Sequence, residues 1–318
     1  MVMPLSRRDF IKVVGASAGV ILLNGATGAK KVTGASKAAT GDKAILYDAS
    51  KCVGCRACQT ACKRWNELPP ESVGYGDIYD NPSDLSAKTW TLIKAKQSAF
   101  AGSEELLFCK YQCMHCSEAA CVEVCPSGAL YHNEYGFVTY DKDKCIGCGY
   151  CTQYCPFNVP HLDTNRITGM GKMDKCTLCT TSGRNRLAIG KEPACVEACP
   201  AGALVFGDRD ELIAEGRRRV ATLKTLHSKP YPQATLYGEK ELGGLHTLYV
   251  LLDSPQVYGL PEDPQFPVTA IIQKDVFRPL TWIVWAAAAA GLALNVLVAR
   301  ARQKRREDEE SAVKRGPN

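Results

Sequence analysis

Apolar positions along the chain fall into a few patterns, and each predicts an element. Ile45–Asp48 (ILYD) and Val138–Asp141 (VTYD) are short apolar segments that close on Tyr-Asp just before a cysteine-rich loop, so each reads as a strand feeding that loop. Two more strands are expected from Tyr131 onward and at Val205–Phe206. Each follows one copy of a repeated sentence, ACVEVCPSGAL at 120–130 and ACVEACPAGAL at 194–204, which points to duplication of a structural unit. Residues 207–222 mix apolar side chains with Asp, Glu and Arg, as in a helix with a charged, solvated face. The Pro- and Gly-rich stretch 228–244 reads as an extended segment lying against a partner.

The two ends carry longer apolar runs. Leu280–Ala299 is twenty residues without a charge, about 30 Å as a helix and enough for one bilayer crossing. Trp282 and Trp285 stand near one boundary, as in an aromatic belt, and five basic residues follow between Arg300 and Arg306, against Lys274 and Arg278 before the span. That bias sets the C-terminus in the cytoplasm. At the other end Ser6-Arg7-Arg8-Asp9-Phe10-Ile11-Lys12 precedes the apolar run 13–23 and small residues at 26–29, the pattern of a twin-arginine export signal. The twin-arginine route carries folded proteins, which suits a chain loaded with metal before export. Much of the net charge of +6 belongs to these flanks, so it does not point to nucleic acid.

Composition changes the picture at cysteine: there are 17 in 318 residues. Disulfide frameworks belong to short secreted chains, and cysteines three residues apart bridge poorly. Sixteen of the 17 fall into four runs. Cys52, Cys55, Cys58, Cys62 and Cys145, Cys148, Cys151, Cys155 follow C-x2-C-x2-C-x3-C; Cys113, Cys116, Cys121, Cys125 and Cys176, Cys179, Cys195, Cys199 widen the second gap to four and fifteen. Zinc is usually held by two separated knuckles, whereas the bacterial ferredoxin run gives three thiolates to one 4Fe-4S cube and the fourth, before a proline, to another. Proline follows Cys125, Cys155 and Cys199.

Four 4Fe-4S clusters are therefore expected. The close spacing of the second and third runs makes them one two-cluster unit, with the first and fourth nested around it. The expected ligand sets are Cys52, Cys55, Cys58 with Cys199; Cys62 with Cys176, Cys179, Cys195; Cys113, Cys116, Cys121 with Cys155; and Cys125 with Cys145, Cys148, Cys151. Cys109 lies outside every run and reads as a buried free thiol. His115 and His161 read as structural or supporting donors, since each run already has four thiols. Lys63, Arg64 and Lys172 read as solvated surface beside clusters. No G-x-G-x-x-G loop, Walker motif or nucleophile constellation is present, so any reaction belongs to a partner.

The resulting fold class is α+β: two interlocked bacterial-ferredoxin-like two-cluster units plus one C-terminal transmembrane helix. The expected segments are a signal at 1–29, a cluster domain at 44–206 (52–100 with 170–206 as one unit, 109–160 as the other), a helical and extended segment at 207–279, the span at 280–299 and a cytoplasmic tail at 300–318. A stand-alone membrane-tethered polyferredoxin is the competing class, but four clusters suit a wire between two fixed partners better.

From about residue 45 to 299 the chain resembles the iron-sulfur (beta) subunit of membrane-bound respiratory formate dehydrogenases. The resemblance rests on ACQTACKRWN (57–66), YDNPSDLSAKTWTLIK (79–94), CIGCGYC (145–151), CPFNVP (155–160), EPACVEACP (192–200) and YGLPEDP (258–264). It implies the same sixteen cysteine ligands, a molybdenum or tungsten pterin catalytic subunit that oxidises formate, and a membrane cytochrome b subunit that passes electrons to quinone. By that analogy the cube on Cys52, Cys55, Cys58 and Cys199 faces the catalytic subunit, and the cube on Cys125, Cys145, Cys148 and Cys151, or its neighbour, faces the haem. The expected location is the inner membrane, single-pass, with the cluster domain on the periplasmic side. Two features lean elsewhere: the chain's own export signal, and LYGEKELGG (236–244), which is similar to the beta subunit of hydrogenase-2 type nickel-iron hydrogenases.

Overall fold

The computed structural model describes residues 42–71, 82–100, 103–164, 171–227 and 230–314. The expected export signal lies outside the described residues. The strands are β1 (Lys43–Asp48), β2 (Leu92–Phe100), β3 (Ser103–Tyr111), β4 (Leu130–His132), β5 (Val138–Tyr140), β6 (His161–Thr164), β7 (Gly171–Asp174), β8 (Thr180–Thr181), β9 (Arg184–Asn185), β10 (Leu204–Asp208), β11 (Thr235–Tyr237) and β12 (Thr247–Leu251). The helices are α1 (Ala57–Asn66), α2 (Ala120–Glu123), α3 (Tyr150–Gln153), α4 (Ala194–Glu197), α5 (Arg209–Lys224), α6 (Val268–Ile272) and α7 (Arg278–Lys314).

Among the described residues one four-stranded sheet, ordered β10-β1-β12-β11, organises the chain beside four two-stranded hairpins. β1 pairs antiparallel with β10, Ile45 opposite Phe206, and parallel with β12, Ile45 opposite Thr247. A central strand covered on both faces needs no alternation, which is why Ala44, Ile45, Leu46 and Tyr47 are all buried. The sheet thus joins the strand that feeds the first cysteine run, the strand that leaves the fourth, and two strands of the 207–279 segment.

α5 lies on this sheet through Leu212, Ile213, Gly216 and Leu223. Gly216 lets the helix seat closely, since a Cβ there would stand 2.6 Å from Leu236 Cδ1. The polar side of α5 is solvated as expected at Asp210, Glu211, Glu215, Arg217, Arg218 and Lys224, but Arg209 and Arg219 turn inward. Arg219 donates from Nε to Asp48 Oδ2 at 2.9 Å and from Nη2 to Ser50 Oγ at 2.8 Å, and Arg209 Nε donates to Leu245 O at 2.9 Å. Asp48 is buried at the entrance to the first cluster loop, and a carboxylate there needs charged donors.

The 228–244 segment also departs from its expectation. Thr235–Tyr237 is an edge strand paired with β12, and Glu241–Gly243 is a single 3-10 turn. Sheet pairing satisfies its backbone and buries Tyr237, so this part of the segment is core rather than a partner-facing arm. The long β2–β3 hairpin, Leu92 opposite Tyr111 through Phe100 opposite Ser103, was not among the sequence expectations. It is tied to the first cluster helix where Ile93 N donates to Gln59 Oε1 at 3.0 Å.

Among the described residues one helix is long and apolar enough to cross a membrane. Its uncharged stretch lies within α7 and is exposed throughout, Trp282, Trp285 and Leu292 included.

Candidate metal centres

Each cysteine run begins in a loop and ends in or just beyond a short helix: α1 carries Cys58 and Cys62, α2 Cys121, α3 Cys151 and α4 Cys195. The loops turn through left-handed backbone, and Gly147 between Cys145 and Cys148 is the tightest case. Its φ is +72°, and a Cβ would stand 2.0 Å from Gly171 O. Gly147→Ala is expected to cost more than about 2 kcal/mol, since the left-handed conformation alone costs about 1–2 kcal/mol and a backbone carbonyl must also move. Thermal unfolding of the purified chain checks this, and an unchanged midpoint would contradict the close approach.

The folded chain brings the sixteen run cysteines into four neighbourhoods. Cys52, Cys55, Cys58 and Cys199 line one cavity together with Tyr47, Arg56 and Lys110. Cys62 is flanked by Cys176, Cys179 and Cys195. Cys116 is flanked by Cys113, Cys155 and Cys121, and Cys151 by Cys148, Cys145 and Cys125. Cysteines adjacent in sequence therefore part company: Cys62 faces a different group from Cys58, and Cys195 a different group from Cys199.

The neighbourhoods also touch one another in sequence. Cys58 of the first feels Cys195 of the second, Cys176 of the second feels Cys113 of the third, and Cys121 of the third feels Cys151 of the fourth. At the two ends a cysteine is exposed, Cys55 in the first group and Cys148 in the fourth. Exposed aliphatic residues, Val53 and Ile146, stand in the same two loops.

The donor chemistry fits an iron-sulfur cube. Burial, with neighbouring sulfur adding to it, pushes the thiols of Cys58, Cys151, Cys176 and Cys179 up to about 12 and that of Cys155 up to about 11. Thiols so placed ionise only when a cation arrives, and iron supplies that charge. Cys125 shifts the other way. Burial works against its thiolate, but donors at Leu130, Ser127 and Ala129 prevail and lower its pKa. Backbone amides aim at other sulfurs: Leu178 N at Cys176 Sγ, Ala194 N at Cys179 Sγ and Met173 N at Cys145 Sγ, each at 3.4 Å. Such bonds tune cluster potential. Among the described residues no three His, Cys, Asp or Glu side chains converge closely enough to grip one metal ion; a cube spreads its thiolates over four irons.

Cys109 is fully buried on β3, outside the four neighbourhoods, and burial raises its pKa. His115 is also fully buried, edge-on to Phe137, and burial with nearby Lys175 holds it neutral. His161 begins β6 and is half-buried. Lys63 is not merely solvated, since it donates to Lys88 O at 2.9 Å and Pro69 O at 3.2 Å. Arg64 is exposed, and Lys172 pairs with Asp143 at 3.9 Å.

Two lysines beside the sulfurs escaped sequence reasoning. Lys110 donates to Thr91 Oγ1 at 2.5 Å, and Lys175 donates to Val138 O at 2.5 Å and Cys176 O at 3.0 Å; both are fully or almost fully buried. Lys175 favours the thiolates of Cys121 and Cys155. Arg186 stacks over Trp65 at 4.7 Å, pairs with Glu197 and favours the thiolate of Cys179.

Comparison with known proteins agrees with this chemistry. Residues 104–209 match the 4Fe-4S dicluster domain family and residues 43–64 a 4Fe-4S binding domain. The chain is 40% identical to the nitrate-inducible formate dehydrogenase iron-sulfur subunit of Escherichia coli (strain K12), over 84% of this chain and 88% of the relative. It belongs to the family of formate dehydrogenase iron-sulfur subunits. Within that family the subunit from Haemophilus influenzae is 42% identical over 79% of this chain and 77% of its own. The hydrogenase-2 operon protein HybA of Escherichia coli O157:H7 is also related, 38% identical over 80% of this chain and 84% of its own. An iron-sulfur subunit of this family transfers electrons.

Proposed function

We propose that this chain is the electron wire of a membrane-bound formate dehydrogenase, built on four 4Fe-4S cubes held by the crossed ligand sets. The first uses Cys52, Cys55, Cys58 and Cys199; the second Cys62, Cys176, Cys179 and Cys195; the third Cys113, Cys116, Cys121 and Cys155; the fourth Cys125, Cys145, Cys148 and Cys151. The observation that carries this reading is the succession of four sulfur neighbourhoods from exposed Cys55 to exposed Cys148. Held by these cysteines, the cubes would supply one-electron couples.

The chain's own residues do the rest. Thiolates fix the cubes within two interlocked units, buried side chains keep water from the inner ones, and amide donors and buried lysines set their potentials. Electrons enter from a molybdenum or tungsten pterin subunit at the Cys55 end and leave at the Cys148 end toward a membrane cytochrome b and quinone. α7 crosses the inner membrane with its C-terminus in the cytoplasm. The cluster domain then faces the periplasm, reached through the export signal expected at residues 1–29.

A second reading is supported by the likeness to HybA and by residues 236–244: the same wire serving a nickel-iron hydrogenase. The complex, solubilised in detergent and purified through a C-terminal tag, separates the two. Formate, added anaerobically, is expected to bleach the cluster absorbance. Bleaching by hydrogen and not by formate moves the chain to the hydrogenase reading, and response to neither contradicts both.

A further inference from the structure

Lys110 sits on β3 with no exposed surface. A buried ammonium needs compensating charge, yet the acceptors its Nζ reaches, Thr91 Oγ1 and Gln112 Oε1, are neutral. The compensation lies on sulfur. Lys110 lines the cavity of Cys52, Cys55, Cys58 and Cys199, and the sulfurs that act on it most strongly are Cys195, Cys58, Cys176 and Cys62. Cys58 belongs to the first ligand set and the other three to the second. Burial works against the ammonium, and the ligand sulfurs that line the same cavity offset it.

Resting on the four-cube reading above, we infer that Lys110 is a positioning charge shared by the first two cubes, holding the midpoint potentials of both above what their thiolate shells alone would set. A fixed cation between two one-electron centres favours the more negative, reduced member of each couple. Electrons entering at the Cys55 end are therefore drawn onto this pair before they pass to the third cube. The third set has its own buried cation, Lys175, beside Cys121 and Cys155.

The test is an anaerobic redox titration of the assembled complex, followed by electron paramagnetic resonance, on wild type, Lys110→Gln, Lys110→Arg and Gln112→Glu. Lys110→Gln removes the charge, and Gln112→Glu sets a carboxylate against it with little change of volume. Both are expected to lower two of the four midpoints and leave the other two in place, while Lys110→Arg restores the wild-type values. Selective loss of those same two signals in both variants shows a role in assembly instead and overturns the potential-setting role. Four unshifted midpoints, or four that move together, overturn the role of Lys110 and leave the wire standing. Fewer than four couples in the wild type would instead overturn the four-cube reading itself.

Discussion

Replacing Cys199 with alanine is expected to delete the same cube as replacing Cys52, although the two lie at opposite ends of the cluster region. Cys195→Ala, only four residues away, is expected to delete a different one. The physical basis is the local path of the chain around α4. Cys195 lies within that turn of helix and is buried among Cys62, Cys176 and Cys179. Cys199 follows the helix end and opens onto the cavity lined by Cys52, Cys55, Cys58 and Lys110. Each substitution should reduce iron per chain by about a quarter, since each removes one cube of four, and should abolish one resonance. Cys52→Ala and Cys199→Ala should lose the same resonance. Electron transfer from substrate to quinone falls to background in all three, because tunnelling declines steeply once a relay is missing. If Cys195→Ala and Cys199→Ala lose the same signal, the crossed ligation is wrong.

Ending the chain at Phe277 is expected to release it from the membrane. The segment removed contains the uncharged stretch from Leu280 to Ala299, with eight Leu, Ile or Val side chains. At about 0.3–0.6 kcal/mol each they supply roughly 2–5 kcal/mol of insertion free energy. Leu292→Arg should cancel most of that gain, since an arginine near mid-span costs roughly 2.5–3.5 kcal/mol. Alkaline carbonate strips peripheral subunits and leaves inserted helices. The full chain should therefore stay with the lipid, and the chain ending at Phe277 should move to the supernatant. Retention of the shortened chain would show that α7 is not its anchor.

Much of this was legible before any coordinates, and for physical reasons. Thiolate spacing is dictated by the cube, so the cysteine runs announce themselves. β1, β4, β5 and β10 are short apolar segments beside those runs, and α5 has helical composition interrupted only by Gly216, which its close seat on the sheet explains. The lysines were not legible. Phe108-Cys-Lys-Tyr-Gln-Cys113 offers no clean alternation, and an isolated lysine ordinarily stays in water; only the folded β3 shows that Lys110 is enclosed with sulfur. The role of residues 235–251 was hidden for a different reason. β12 gains its stability from pairing with β1, a strand about two hundred residues earlier in the chain, and β11 pairs in turn with β12; no local pattern encodes the distant partner. The one signal that could have found it was the apolar run Thr247–Leu252, whose length suits a buried central strand.

The most direct test of the account is the iron-resolved density of the assembled complex at a resolution that separates individual cubes. The account predicts four cubes in succession between Cys55 and Cys148, with Cys62 on the cube of Cys176, Cys179 and Cys195. Density in which Cys58 and Cys62 bind one and the same cube would contradict it.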